Sequence, residues 1–281
     1  MVVIFIQKMM VGTPQPTCWY QEKQNYRFRR VAMIIDSHIH CGVQNVALPL
    51  ATVKKYLVHA GIERACLFAP VEDIYDRDNP FFIDTPLWRD TRKRANRYLL
   101  DIRDANFMAY YFVWNDFDVA ELAQGYLALK WHRHDDEPTY EYLSPLCEQL
   151  LQLAYARRLP ILLEESWENT LYLINRVNGS CPIIIPHLGM LNGGFERLLQ
   201  QGIWDNEMVY ADTALAAPAT IKTFIARYGT SRLLFGSDFP FGNPAAELSK
   251  ISALGLSAKD WELVTSANIQ RLLSGGSLPT A

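Results

Sequence analysis

Eight short apolar runs, rich in β-branched and aromatic residues, recur along the 281-residue chain. They read VAMIID, RACLFAP, FMAYYFVW, YLALKWH, PILLEE, PIIIPH, MVYADT and RLLFGSD. Continuous apolar strands are typical of a parallel sheet that is covered on its faces. Helical patterns such as LATVKKYLVHAG, which closes on Gly61, lie between most of the runs. Eight strand–helix units predict an α/β fold, a closed (β/α)8 TIM barrel, whose usual length is about 250 residues.

An open, doubly wound sheet would also fit this alternation of strands and helices. Such a sheet usually carries a glycine-rich phosphate-binding turn after its first strand. The first strand here ends in DSHIHCG and has no GxGxxG pattern. The sequence therefore favours the barrel.

Charge and cysteine content limit the classes of partner. The chain has 27 Lys and Arg against 30 Asp and Glu, a net charge of −3, which gives no reason to expect nucleic acid or an anionic membrane. We expect a small-molecule substrate, and the chain could also form a homo-oligomer.

Cysteine content limits the kinds of cross-link and metal site. Five cysteines without a CxxC pair argue against a disulfide framework or a thiolate zinc site, and they favour a reducing cytoplasm. No apolar stretch approaches the ~20 residues that span a bilayer.

Polar side chains stand at the carboxyl ends of most runs, where a barrel of this class carries its active site. In chain order they are His38 and His40, then Lys130, His132 and His134, then Glu164 and Glu165, then His187, Asp212 and Asp238. Because side chains alternate along a strand, His38 and His40 point to one face, with Asp36 one layer deeper. His59 lies in a helical pattern, and we interpret it as structural.

Two imidazoles that converge from one strand predict a metal chelate. His187 and Asp238 each follow a strongly apolar strand, where an uncompensated polar group is costly to bury. Nitrogen and oxygen donors without thiolate favour zinc, although the same donors also suit Mn²⁺, Fe²⁺ and Ni²⁺. Asp238 would ligate the ion and take a proton from an activated water, and His187 would ligate or polarise the substrate.

Several motifs together resemble the amidohydrolase superfamily, within it the amidohydrolase-related group that includes aminocarboxymuconate semialdehyde decarboxylase. They are IIDSHIH, LALKWH, LPILLEES, CPIIIPHLGM, LLFGSDFP and SANIQRLL, in order from about Met33 to Leu273. The resemblance implies a distorted TIM barrel with one or two metal ions. It also implies His38, His40 and Asp238 as ligands, with His187 near the metal.

The resemblance bears on domain organisation as well. Relatives commonly begin a residue or two before the first strand, which makes Met33 a natural start. We expect residues 33–281 to form a single barrel domain. Residues 1–32 would be an N-terminal extension, either a mis-called start or a segment that packs against the barrel.

One departure from the group lies on strand five. Relatives with the pattern PVLIHTG have a histidine ligand where this chain has Glu164 in PILLEES. We expect Glu164 to bind the metal through oxygen, and the alternative is a salt bridge to Lys130. Glu165 should point the other way. We expect one metal ion rather than two, with Lys130 and His132 facing the substrate and His134 in a loop.

Three functional hypotheses follow from these residues. The first is a metal-dependent hydrolase of an amide, lactone or ester bond. The second is a nonoxidative decarboxylase on the same site, and the third is a noncatalytic barrel whose metal site Glu164 has altered. The connections 70–90 and 132–143 are long enough to cover the barrel mouth, and Arg77 or Arg89 in the first of them could reach an anionic substrate.

Overall fold

The computed structural model of the protein describes residues 33–42 and 48–275. The predicted extension over residues 1–32 lies outside the described residues. No helix in the described part of the chain is long and apolar enough to cross a bilayer.

Eight parallel strands in sequence order form one sheet and alternate with helices, which confirms the predicted TIM barrel. Each neighbouring pair along the sheet runs parallel. The strands are β1 Ile35–His40, β2 Arg64–Phe68, β3 Phe107–Phe112, β4 Ala128–His132, β5 Ile161–Glu164, β6 Ile183–Ile185, β7 Val209–Asp212 and β8 Leu233–Leu234.

Ten α-helices lie among these strands in the described residues. They are α1 Leu50–Ala60, α2 Pro86–Leu100, α3 Val119–Leu122, α4 Pro145–Arg157, α5 Trp167–Val177, α6 Phe195–Gln200, α7 Pro218–Tyr228, α8 Pro244–Ser252, α9 Ala258–Glu262 and α10 Asn268–Leu273. A π-helical turn, Leu263–Ala267, joins the last two.

Local sequence explains where several helices begin and end. Helices α2, α4, α7 and α8 start with proline at the first helical position, where its missing N–H costs nothing. Ser144 caps α4 through its side chain. Helix α1 ends at Gly61, which adopts the left-handed conformation with φ 71°, as its pattern predicts.

The barrel closes between its first and last strands at what we call the β1–β8 seam, residues 37–40 against 235–239. Strand β8 has only two residues, so few ladder hydrogen bonds can form there. Closure instead uses backbone hydrogen bonds: Ser37 N donates to Phe235 O at 2.9 Å and His40 N to Phe239 O at 2.9 Å. The segments that carry the predicted metal ligands therefore also close the barrel.

Candidate metal centre

A cavity of about 180 Å³ opens at the carboxyl ends of the strands, where the sequence predicts the site. Larger clefts of about 420 and 500 Å³ lie elsewhere, and no histidine lines either of them. The cavity at the mouth is lined by His40, Val71, Arg77, His132, His134, Glu164, His187, Leu191, Leu215, Asp238 and Phe241.

Two histidines of β1 meet the carboxylate that follows β8. His38 Nε2 and His40 Nε2 each lie 3.2 Å from Asp238 Oδ1. All three residues are buried. Alternation along β1 sends both imidazoles to the same face, and the backbone hydrogen bond from Asp238 N to His38 O, 2.8 Å, fixes the carboxylate beside them. We call His38, His40 and Asp238 the β1–β8 group.

Asp212, at the end of β7, orients His38. Its Oδ2 lies 2.7 Å from His38 Nδ1, so that nitrogen carries a proton and Nε2 faces Asp238. His38 Nε2 and Asp238 Oδ1 are buried and lack a hydrogen bond in the structure. Such a carboxylate–histidine pair is the usual outer support of a metal-ligating imidazole.

His187 follows β6 in a left-handed backbone conformation, with φ 56°. Its backbone N–H donates to Asp212 Oδ1 at 3.0 Å, and its Nδ1 lies 2.9 Å from Ala214 O. Because a carbonyl only accepts, Nδ1 carries the proton and Nε2 faces the site. That Nε2 lies 3.6 Å from Glu164 Oε2 and 3.9 Å from Asp238 Oδ2.

Burial and nearby charges shift the pKa values of the β1–β8 group in different directions. Burial opposes protonation of His38, but the charges of Asp212 and Asp238 outweigh it and raise the pKa of His38 to about 9. Burial lowers the pKa of His40 to about 4. Burial acts to raise the pKa of Asp238, yet His38 and His40 hold it below its usual range.

The donors present fit a divalent metal ion. Two imidazole nitrogens and a carboxylate oxygen converge, and two of these three atoms are buried without hydrogen bonds. The ligand atoms of His38, His40 and Asp238 lie within 4.8 Å of one another. A set of nitrogen and oxygen donors without thiolate suits zinc, manganese or iron.

Glu164, at the end of β5, contacts four polar side chains. Lys130 Nζ donates to its Oε2 at 3.0 Å, and both residues are buried. The structure therefore contains the salt bridge that was the alternative to metal ligation by Glu164, and ligation stays a prediction. Despite burial, which would raise it, the charge of Lys130 and the neighbouring histidines hold the pKa of Glu164 well below its usual range.

Two more imidazoles contact the same glutamate. His132 Nε2 and His134 Nε2 lie 3.2 and 3.0 Å from Glu164 Oε1. Behind them, Glu137 Oε2 lies 3.9 Å from His132 Nδ1, and Glu137 Oε1 lies 3.5 Å from His134 Nδ1. We call His132, His134 and Glu164 the β4–β5 group.

Of the other predicted residues, some line the cavity and some do not. Lys130 is fully buried and does not line the cavity, so its contact with substrate stays a prediction. Glu165 points away from the mouth, as predicted, and its Oε2 pairs with Arg133 Nη1 at 3.1 Å. Arg77 lines the cavity, whereas Arg89 lines an outer cleft and pairs with Asp84, so contact of either residue with an anionic substrate stays a prediction.

Sequence reasoning did not identify the residues that form the apolar wall, nor one support of the site. Leu191, Leu215 and Phe241 line the cavity from the connections after β6, β7 and β8. The only signal for Leu191 and Phe241 was proximity to the HLGM and SDFP motifs, and Leu215 is near neither of them. Glu137 lies inside the long connection 132–143, where no periodicity indicates the direction of a side chain.

Comparison with known proteins agrees with this geometry. A family model described as Amidohydrolase matches residues 129–274, more than half of the chain. This chain belongs to that family. It is therefore an amidohydrolase-family enzyme, and its mouth carries a site capable of holding a metal ion. A search of curated proteins finds no match.

Solved structures share the fold at low sequence identity. A 2,6-dihydroxybenzoate decarboxylase from Rhizobium is 15% identical, with a TM-score of 0.66 over 86% of this chain and 98% of that one. A Pseudomonas putida protein described as a 2-pyrone-4,6-dicarboxylic acid hydrolase is 19% identical, with a TM-score of 0.65 over 88% and 99%. A dihydroxybenzoic acid decarboxylase from Polaromonas sp. JS666, solved with bound manganese and 2-nitroresorcinol, is 13% identical, with a TM-score of 0.63 over 88% and 98%.

Proposed function

We propose that this amidohydrolase-family enzyme is a metal-dependent hydrolase of an amide, lactone or ester bond in a small molecule. The observation that carries the proposal is the convergence of His38 Nε2 and His40 Nε2 on Asp238 Oδ1, at 3.2 Å each. These atoms lie in the barrel mouth, where members of this fold class carry out their chemistry.

His38, His40 and Asp238 would hold the ion, with His187 as the nearest further nitrogen donor. A divalent ion bound there supplies Lewis-acid activation of a water molecule and of a substrate carbonyl. Asp212 contributes by holding the His38 ring in place through the 2.7 Å hydrogen bond to Nδ1.

Proton handling falls to Asp238 and His187. Asp238 Oδ2, the carboxylate oxygen that faces His187 Nε2 at 3.9 Å, would accept a proton from an attacking water. His187 Nε2 faces the cavity with its Nδ1 held by Ala214 O, so the ring is oriented to hydrogen-bond the reacting carbonyl or the leaving group.

The size and lining of the cavity support a small substrate. Its volume of about 180 Å³ is below the ~300–1,000 Å³ of sites for drug-sized ligands. Leu191, Leu215 and Phe241 supply apolar surface, and Arg77 supplies a cationic group at the rim.

The proposal is tested by metal content and by reaction. We expect stripped protein to bind Zn²⁺ or Mn²⁺, and the His38→Ala variant to lose that ion. We expect the Asp238→Asn variant to lose hydrolytic activity on a panel of lactones and N-acyl compounds. His59→Ala and Asp101→Asn, both exposed and far along the chain from the mouth motifs, are the matched controls. Wild-type metal content and activity in both His38→Ala and Asp238→Asn would refute the assignment.

A nonoxidative decarboxylase on the same site is the second candidate. Two observations favour it: solved neighbours with this fold act as decarboxylases on dihydroxybenzoates, and Arg77 places a guanidinium at the rim, where it could hold a carboxylate. Release of carbon dioxide without incorporation of ¹⁸O from labelled water would identify this reaction. Incorporation of ¹⁸O without carbon dioxide would identify hydrolysis.

A further inference from the structure

The two imidazoles of the β4–β5 group each face two carboxylates. Their Nε2 atoms lie 3.2 and 3.0 Å from Glu164 Oε1. Their Nδ1 atoms lie 3.9 and 3.5 Å from the oxygens of Glu137. Ionised carboxylates only accept hydrogen bonds, and a neutral imidazole has one N–H. A neutral ring therefore cannot donate to both of its carboxylates, and Arg77 Nη2 and Tyr75 OH each lie 3.4 Å from the Nδ1 of one ring, His134 and His132 respectively.

We propose that the β4–β5 group binds a second divalent metal ion through His132 Nε2, His134 Nε2 and Glu164 Oε1. These three donor atoms lie within 4.8 Å of one another. With an ion between them, both Nε2 lone pairs would be used, and both Nδ1–H groups would face Glu137, at 3.9 Å from His132 and 3.5 Å from His134. Two imidazoles and one carboxylate, with a further position left open, is the donor set of many catalytic zinc sites.

Glu137 is built as a fixed support for these rings. Tyr75 OH donates to its Oε2 at 2.6 Å, and Arg77 Nε donates to its Oε1 at 2.8 Å. The backbone N–H of His134 also donates to Oε2, at 3.0 Å. A buried carboxylate held on both oxygens keeps the two rings oriented, as the outer partners of metal-bound histidines do.

Lys130 decides which oxygen of Glu164 is available. It donates to Oε2 at 3.0 Å, so Oε1 is the oxygen left for the second ion. The second site thus uses none of the residues of the β1–β8 group. His40 and Asp238 line the same cavity as His132 and His134, so a substrate there would meet both sites.

Counting bound ions separates the two sites. We would strip the full chain with chelator, dialyse it to equilibrium against Zn²⁺, and measure zinc per chain by mass spectrometry. The expected values are two for wild type, one for His134→Ala and one for His38→Ala. The exposed histidine variant His59→Ala should keep two. Glu164→Gln preserves the side-chain shape, and we expect it to bind one.

Other ion counts also decide whether the second metal site exists. A His134→Ala variant that keeps the wild-type number of ions would overturn the second site, whatever that number is, as would a wild type that binds none. One ion in wild type, lost in His134→Ala but kept in His38→Ala, would support the second site and refute the first. If thermal melting shows that His134→Ala does not fold, His132→Ala carries the test in the same way, because His132 belongs to the β4–β5 group alone.

Discussion

Asp212 is a buried carboxylate that orients His38, one of the proposed metal ligands. It holds His38 Nδ1 at 2.7 Å and also accepts backbone N–H groups from His187 and Ala214 at 3.0 Å. We expect Asp212→Asn to weaken metal binding about 10–100-fold, because the ring loses a charged partner that fixes its orientation. Competition with a chromogenic chelator measures this dissociation constant.

The control for Asp212 is Asp101→Asn, a change of the same charge at an exposed position after α2. It should leave metal affinity unchanged. An Asp212→Asn variant that binds metal as tightly as wild type would show that His38 needs no outer support.

The reactivity of four cysteines tests whether they are buried in the folded chain. In the described chain, Cys41, Cys66, Cys147 and Cys181 are buried and unpaired. Burial raises the pKa of Cys66 and of Cys181 to about 12. We expect none of the four to react with a thiol reagent at pH 8 in folded Cys18→Ser protein, because reaction requires an exposed thiolate. Rapid labelling before unfolding would contradict this.

The same thiols predict how stability changes in alkaline solution. Their pKa is raised in the folded state, so the folded chain binds more protons than the unfolded chain above about pH 8.5. This contribution to stability is complete below the unfolded pKa and is lost as pH rises toward about 12. Urea unfolding between pH 8 and 10 measures the decline, and replacing Cys66 with Ala should reduce its slope.

The residues of the site differ in how far sequence could predict them. Strand alternation placed His38 and His40 on one face, and the end of β8 placed Asp238 beside them. The salt bridge between Glu164 and Lys130 was foreseen only as an alternative. Sequence alone does not decide whether two polar side chains on adjacent strands point toward each other or toward the cavity. Glu137 could not be foreseen, since a loop has no period from which to read a side-chain direction.

At the level of elements, Gly236 controls the contact between the segment after β8 and strand β1. A Cβ added there would lie 2.8 Å from His38 Cβ and 3.3 Å from Ser37 Oγ. We expect Gly236→Ala to displace β1, to reduce the free energy of unfolding by about 1–3 kcal/mol, and to weaken metal binding. Urea midpoints and chelator competition measure the two effects.

Gly61→Ala is the comparison for that substitution. Gly61 has a left-handed backbone conformation, with φ 71°, but a Cβ there meets nothing within 4 Å, and the residue ends α1. Gly61→Ala should destabilise through backbone strain while metal affinity stays at the wild-type value. If Gly236→Ala also leaves metal affinity intact, the contact of residue 236 with β1 does not set the ligand geometry.

The eight strands were predictable because a parallel sheet demands buried, continuous apolar runs, and each run became one strand. Their lengths were not predictable. The run RLLFGSD gave only the two residues Leu233–Leu234 of β8, since hydrogen bonding to both neighbours, which sequence does not encode locally, determines where a ladder ends. The connections 70–90 and 132–143 were recognised by length, and their contacts emerged only in three dimensions.

For the whole molecule, metal binding should stabilise the fold, because the unfolded chain has no preformed site. An ion at 100 times its dissociation constant contributes about 2.7 kcal/mol. In a domain of this size that corresponds to a rise in Tm of about 5–10 °C. Differential scanning calorimetry with and without Zn²⁺ measures the shift. The His38→Ala variant should show a smaller one, and a shift equal to that of wild type would place the stabilising ion elsewhere.

The two-residue last strand also bears on how fast a bound ion can leave. His38 and Asp238 are joined by a backbone hydrogen bond of 2.8 Å at the β1–β8 seam, so parting these ligands means parting the barrel closure itself. We predict that the release of an ion bound by these residues depends on local opening of the sheet more than on side-chain rotation. Local opening of the β1–β8 seam would then limit both the dissociation rate of the ion and the hydrogen exchange rate of the Asp238 amide.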